Sequence, residues 1–184
     1  FRATKDLDIV LCVEALDGNF TRAFWEFVEL GGYQNRQKST GKKLFYRFDK
    51  PANDDFPFMV ELFSRKPDTL ILGNDSNLTP IPADEDIASL SAILLDDDYY
   101  QFIHEHKQII DELPAVSVAC LIPLKAKAWL DLSQRLENGE KIDSKNIKKH
   151  RNDVFRLFQI LSPEPRIKLP GNVVRDMQHF LKAV

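Results

Sequence analysis

The chain has 184 residues, 43% of them hydrophobic and 29% charged, which is enough apolar material for one sizeable core with a small helical layer added to it. Its formal net charge of -3 and its pI near 5.8 exclude a surface that grips nucleic acid throughout, because phosphate binding needs clustered Lys and Arg, and leave room only for a local basic patch. No stretch approaches the roughly 20 apolar residues that span a bilayer, and no secretion leader is legible, so a cytoplasmic protein without membrane contact is expected.

Lys5 to Val13 (KDLDIVLCV) alternates and then turns continuously apolar, the pattern of a strand running from a sheet edge into a core. Because this strand pattern starts so close to Phe1, an N-terminal piece is expected ahead of it. From Asn19 to Leu30, the residues Phe20, Phe24, Phe27, Val28 and Leu30 recur at helical spacing; Asn19 is placed to cap the start and Gly31-Gly32 to stop the helix. Leu44 to Phe48 and Phe58 to Phe63 read as a hairpin joined by the polar turn Asp49 to Asp55.

Between Arg65 and Asp86, prolines break the chain into short extended pieces, one of them Leu78 to Ile81. Ser89 to Leu95 and Tyr99 to His104 then read as two strands around the acidic turn Asp96-Asp97-Asp98. After Pro114 the pattern becomes helical, over Ser117 to about Leu136, Ser144 to Leu161 and Asn172 to Ala183. Strands early and helices late predict an α+β chain with a mixed sheet: an α/β core over residues 1–114 and a C-terminal helical region over 115–184.

The sharpest local feature is Asp6-Leu7-Asp8-Ile9. In an extended chain, side chains two apart share a face, so Asp6 and Asp8 point one way and Leu7 and Ile9 the other. Crowded carboxylates repel, and a hard divalent cation relieves the repulsion by accepting oxygens from both. Glu61, isolated in the apolar run Phe58 to Phe63, is a third acid that calls for a metal or another cation. Taken by composition alone, the same acids serve equally as a strand-end cap and a side chain turned to water.

Arg2 to Leu11 (RATKDLDIVL) resembles the segment of DNA polymerase beta-like nucleotidyltransferases, in particular the AbiEii-type toxin group, in which R-x-T-x-D-h-D-h carries the metal-binding aspartates. Leu121 to Ala128 (LIPLKAKA) followed by Arg135, and Lys148 to Leu157 (KKHRNDVFRL), are similar to the helical motifs of that group, so the similar segments span most of the chain. The resemblance implies a nucleotidyltransferase-like core that moves a nucleoside monophosphate from a nucleoside triphosphate to an acceptor hydroxyl. It implies magnesium or manganese on Asp6, Asp8 and Glu61, which would be the catalytic acids, with Lys5, Lys125, Arg135 and Asp153 binding substrate. Lys125 would meet the nucleotide phosphates and Asp153 would orient the site. Implied partners are tRNA or another RNA acceptor and a cognate antitoxin. The alternative is a catalytically silent toxin/antitoxin-type interaction module, or an RNA-binding domain, of the same fold. The family's Gly-Gly or Gly-Ser helix-start motif is expected upstream of Arg2, and Gly31-Gly32, which follows the aspartates, does not replace it.

Other features carry less. Lys125 sits on an apolar helical face, where it either snorkels to water or meets an acid or phosphate. Arg135 and Asp131 are spaced as a surface helix pair, and the basic positions from Lys145 to Arg156 as a charged helix face around Asp153. Ser39 to Lys43 fails the phosphate-loop pattern because Arg36 and Lys43 stand where a glycine and a hydroxyl residue are needed. His104-Glu105-His106 offers two imidazoles for one strand face but reads better as a hairpin turn, and Asp96 to Asp98 lacks the spacing of a calcium loop. Cys12 and Cys120 stand far apart in apolar runs and read as buried, chemically quiet thiols.

Overall fold

The computed structural model describes residues 5–12, 18–35, 46–65, 78–81, 91–162 and 166–184. The chain divides into two units, Phe1–Asp96 and Asp97–Val184, each with its own apolar cluster. Together they make an α+β chain, and the sequence division after Pro114 falls inside the second unit.

The first unit runs β1 (Asp6–Val10), α1 (Gly18–Gly31), β2 (Gln34–Asn35), β3 (Arg47–Asp49), β4 (Met59–Ser64), β5 (Leu78–Pro80) and β6 (Ser91–Leu94). Its mixed sheet has the order β2-β3-β4-β6-β5, with β1 also paired to β4. β4 is the pivot. Val60 lies between Leu7 of parallel β1 and Phe48 of antiparallel β3, and Glu61 lies between Asp8 and Arg47, so β1 and β3 flank β4 on opposite sides. The expected β3–β4 hairpin is present; Leu44 and Phe45 lie outside the described residues, and both strands end one residue later than the pattern suggested.

Alternation along β4 decides which face is covered. Val60, Leu62 and Ser64 are buried and the residues between them are half-buried. The covered side meets α1, whose buried Thr21, Phe24 and Val28 lie along one helical stripe. Phe24 packs edge-on to Phe48 at 5.3 Å between ring centroids, and Trp25 does so at 5.7 Å. Gly31-Gly32 ends α1 as the sequence indicated, in a Schellman arrangement: Tyr33 N donates to the Val28 carbonyl at 3.2 Å and Gly32 N to that of Glu29 at 3.0 Å. Gly32 holds φ +63° for this turn. Asn19 lies within α1 rather than capping it, since the helix already includes Gly18. Cys12 is exposed, not buried, because it follows β1 and leaves its apolar run one residue beyond Leu11.

The second unit contains α2 (Asp97–Glu105), the hairpin β7 (Gln108–Ile110) and β8 (Leu113–Ala115), then α3 (Val118–Glu137), α4 (Ser144–Phe158) and α5 (Gly171–Ala183). Tyr99 to His104, expected as a strand, is helix. Its buried Tyr99, Tyr100, Phe102 and Ile103 follow the i, i+1, i+3, i+4 rhythm of a helix face rather than alternation. Asp97 and Asp98, expected in a turn, form the first turn of that helix, where acids favour the positive end of the helix dipole. Asp98 also accepts from Asn172 N at 2.9 Å and Tyr99 Oη donates to Asp176 at 3.1 Å, which docks α2 on the start of α5. His104 and His106 therefore face different ways and share no strand face; His106 Nδ1 lies 3.1 Å from the Phe102 carbonyl oxygen.

The three expected C-terminal helices are present. α3, α4 and α5 enclose Ile122, Ala126, Val154 and Phe180, with Trp129 edge-on to Phe180 at 5.3 Å. Asp143 caps α4, its carboxylate accepting from Lys145 N at 2.9 Å, which puts the cap one residue before Ser144. Cys120 is fully buried as expected, its thiol 3.3 Å from Ser117 Oγ.

At Gly32 an added Cβ would sit 2.8 Å from the Ala52 Cβ on a left-handed backbone. Gly32→Ala is therefore expected to destabilise the first unit by about 1–2 kcal/mol. Urea unfolding followed at Trp25 in a Trp129→Phe background measures it, and an unchanged midpoint would show that the turn is not under that constraint.

Candidate functional site

Cross-strand partners in register share a face of a sheet. Phe48, Val60 and Leu62 pack with α1 and Ile9 of β1 packs against them, so the alternate positions define the other face: Asp6 and Asp8 on β1, Met59, Glu61 and Phe63 on β4, and Arg47 and Asp49 on β3. The pleat thus puts the three acids selected from sequence on one face. Asp8 and Glu61 are direct neighbours on adjacent strands, about 4.8 Å apart between strand axes. Asp6 lies two residues back along β1, beside Met59.

Exposure grades across the face: Asp8 is exposed, Asp6 half-buried, and the Glu61 side chain only 12% exposed. Burial pushes the Glu61 carboxyl above the ordinary carboxylate range; Arg47 pulls it down, and the charges of Asp8 and then Asp6 push it up again. Both aspartates are thus near enough for Glu61 to feel their charge. Arg47 turns its Nε and Nη2 onto one oxygen, Glu61 Oε1, from the β3 side. Glu61 sits between a guanidinium on one strand and a carboxylate on the other.

Sequence reasoning missed Arg47 and Asp49. Asp49 is 8% exposed and lies on the same face, two residues along β3 from Arg47. The signal was available: in Tyr46-Arg47-Phe48-Asp49 the apolar Phe48 points to the core, so Arg47 and Asp49 must point to the carboxylates. An open groove of about 520 Å³ adjoins the start of β1, lined in part by Lys5, Asp6, Lys50, Phe56 and Phe58. Lys5 lines this groove, and Asp6 belongs to both groove and carboxylate face.

The donor chemistry fits a hard divalent cation at Asp6 and Asp8, two same-face carboxylates from one strand, and Glu61 is the nearest further oxygen donor on β4. Among the described residues, no group of three or more His, Cys, Asp or Glu side chains is already gathered as a metal site. Glu61 is committed to Arg47 instead.

The remaining sequence candidates lie in the second unit. Lys125 on α3 is half-buried, and together with Lys149 it lowers the proton affinity of His150 on α4, where burial is the larger cause and Asp153 opposes both. His150 Nδ1 is buried without a hydrogen-bond partner among the described residues. Sequence reasoning counted His150 among the solvated basic positions, although it stands at helical spacing from Ile147, Val154 and Leu157. Asp153 accepts from Arg156 at 3.4 Å. Arg135 is set apart, ten residues or about 15 Å along α3 from Lys125. It pairs with Glu140, at 2.9 and 2.7 Å, and not with Asp131, which Lys127 holds at 2.6 Å. The failed phosphate-loop segment Ser39 to Lys43 lies outside the described residues.

No protein-family model matches the chain, and no curated protein or solved structure matches it either.

His150 gives the second unit a pH dependence of definite sign. Its folded proton affinity is depressed below the ordinary value of 6.5, so the unfolded chain takes up the proton first as pH falls. Stability is full above about 6.5 and is lost as pH falls from there through the depressed folded value. Thermal unfolding at pH 7.5 and 5.5 should show a larger loss for the parent than for His150→Gln; equal losses would mean that the imidazole titrates alike in both states.

Proposed function

We propose that the chain is a nucleotidyltransferase of the DNA polymerase beta-like superfamily, similar to the AbiEii-type toxin group, and that the carboxylate face of the first unit is its catalytic site. The reaction is transfer of a nucleoside monophosphate from a nucleoside triphosphate to an acceptor hydroxyl, with tRNA or another RNA as the acceptor class. One observation carries the reading: the parallel register of β1 and β4 sets Asp8 beside Glu61 with Asp6 on the same face, while α1 covers the opposite face.

The chain's own residues then have distinct tasks. Asp6 and Asp8 hold the divalent cation, and Glu61 adds an oxygen beside Asp8. Magnesium or manganese bound there supplies the charge that stabilises the triphosphate and acidifies the attacking hydroxyl. Lys5, in the adjoining groove, is placed to meet an anionic substrate group next to Asp6. Lys125, Arg135 and Asp153 remain substrate-binding proposals on the resemblance alone.

The Arg47–Glu61 ion pair favours a second reading, a catalytically silent interaction module with an antitoxin-like partner, because it already neutralises the third acid. The two separate in one assay. Full chain incubated with magnesium, RNA and each α-labelled nucleoside triphosphate should transfer label, lose transfer on chelation, and lose at least about 100-fold with Asp8→Asn, the loss that even outer-shell partners of a metal ligand cause. No transfer with any nucleotide, together with manganese binding that Asp8→Asn leaves unchanged, would establish the silent module instead.

A further inference from the structure

We propose that Arg47 is a built-in counter-cation of the carboxylate face, and that Glu61 exchanges Arg47 for a divalent cation shared with Asp8. The proposal rests on the reading of Asp6, Asp8 and Glu61 as a cation site, and it adds a control on that site.

Three observations carry it. First, among the described residues the strand registers place Asp6, Asp8, Asp49 and Glu61 on this face and Arg47 among them. Second, Glu61 is the least exposed acid of the triad at 12%, so its charge needs a partner at all times, whether or not a divalent cation is present. Third, β4 stands between β3 and β1, which puts Arg47 on one side of Glu61 and Asp8 on the other. A carboxylate in that position has two alternative partners in opposite directions. With Arg47 it gives up Oε1 to Nε and Nη2 and stays away from a shared cation position. Turned toward Asp8, it completes a three-oxygen donor set.

A guanidinium and a divalent cation crowded onto the same oxygen repel each other, so occupancy by one weakens the other. Arg47 thereby sets how much cation the face needs before the third acid joins. Asp49, two residues along β3 on the same face, keeps the released guanidinium in acidic surroundings.

The test is manganese binding to the full chain without nucleotide, read as the loss of the free-ion paramagnetic resonance signal. Arg47→Met keeps the aliphatic stem and removes the charge. An adjacent opposite charge alters the cation affinity of a carboxylate by roughly one to three powers of ten, so Arg47→Met should bind manganese at least about 10-fold more tightly than the parent. The gain should vanish in an Asp8→Asn or Glu61→Gln background. A folded Arg47→Met protein, judged by a parent-like circular dichroism spectrum, with affinity equal to or below the parent's overturns the exchange. If Asp8→Asn still weakens the parent's binding in that case, the cation site stands and only the role of Arg47 falls. If neither parent nor Arg47→Met binds manganese, both fall together. Should Arg47→Met fail to fold, Arg47→Gln, which also removes the charge, should show the same gain in affinity, and no gain there overturns the exchange as well.

Discussion

Much of the first unit depends on β4 being hydrogen-bonded along both edges. Its pairing with parallel β1 and antiparallel β3 fixes the register to the residue, and a slip of one position would turn Val60 and Leu62 out of the core and Glu61 into it. Neither outcome is tolerable: Val60 and Leu62 are fully buried against α1, and a carboxylate among them would lack both water and Arg47. The apolar core and the acidic face are therefore one constraint seen from two sides. The helix that seals one face of the sheet guarantees what the other face displays.

That display is electrostatically strained in a useful way. Carboxylates placed two apart on β1 and next to a third on β4 repel, and the protein tolerates the arrangement by grading exposure from open Asp8 to enclosed Glu61 and by giving the enclosed one a guanidinium. An ion pair of that kind adds little net stability, since desolvation offsets most of its attraction, but losing one partner is costly. The pair constrains the site more than it holds up the fold.

The second unit follows a different logic. α3, α4 and α5 pack Ile122, Ala126, Val154 and Phe180 together, and the half-buried positions bordering that cluster include Lys125, His150 and Asp153. Because His150 stands on the stripe that also carries Val154, packing forces it out of water beside a lysine, and its proton affinity falls. Charge and burial are coupled there by helix periodicity, as they are coupled in the sheet by the two-residue pleat.

The sequence by itself determined much of this. Alternation at its start exposed β1, the polar turn Asp49 to Asp55 between two strand-like segments exposed β3 and β4, the Phe20 to Val28 stripe exposed α1, and the same-face geometry of Asp6 and Asp8 followed from extended backbone alone. The three late helices were legible for the same reason, since local periodicity and caps are written within a few turns of chain. Tyr99 to His104 misled because six residues are too few to separate a helix face from a strand, and its docking partners Asn172 and Asp176 lie more than seventy residues away. Only tertiary structure decided that Asp8 neighbours Glu61, that Arg47 reaches Glu61 first, and that Arg135 turns to Glu140. Such pairings depend on register and on competition among charges distant in sequence, and neither leaves a mark on the local pattern of residues.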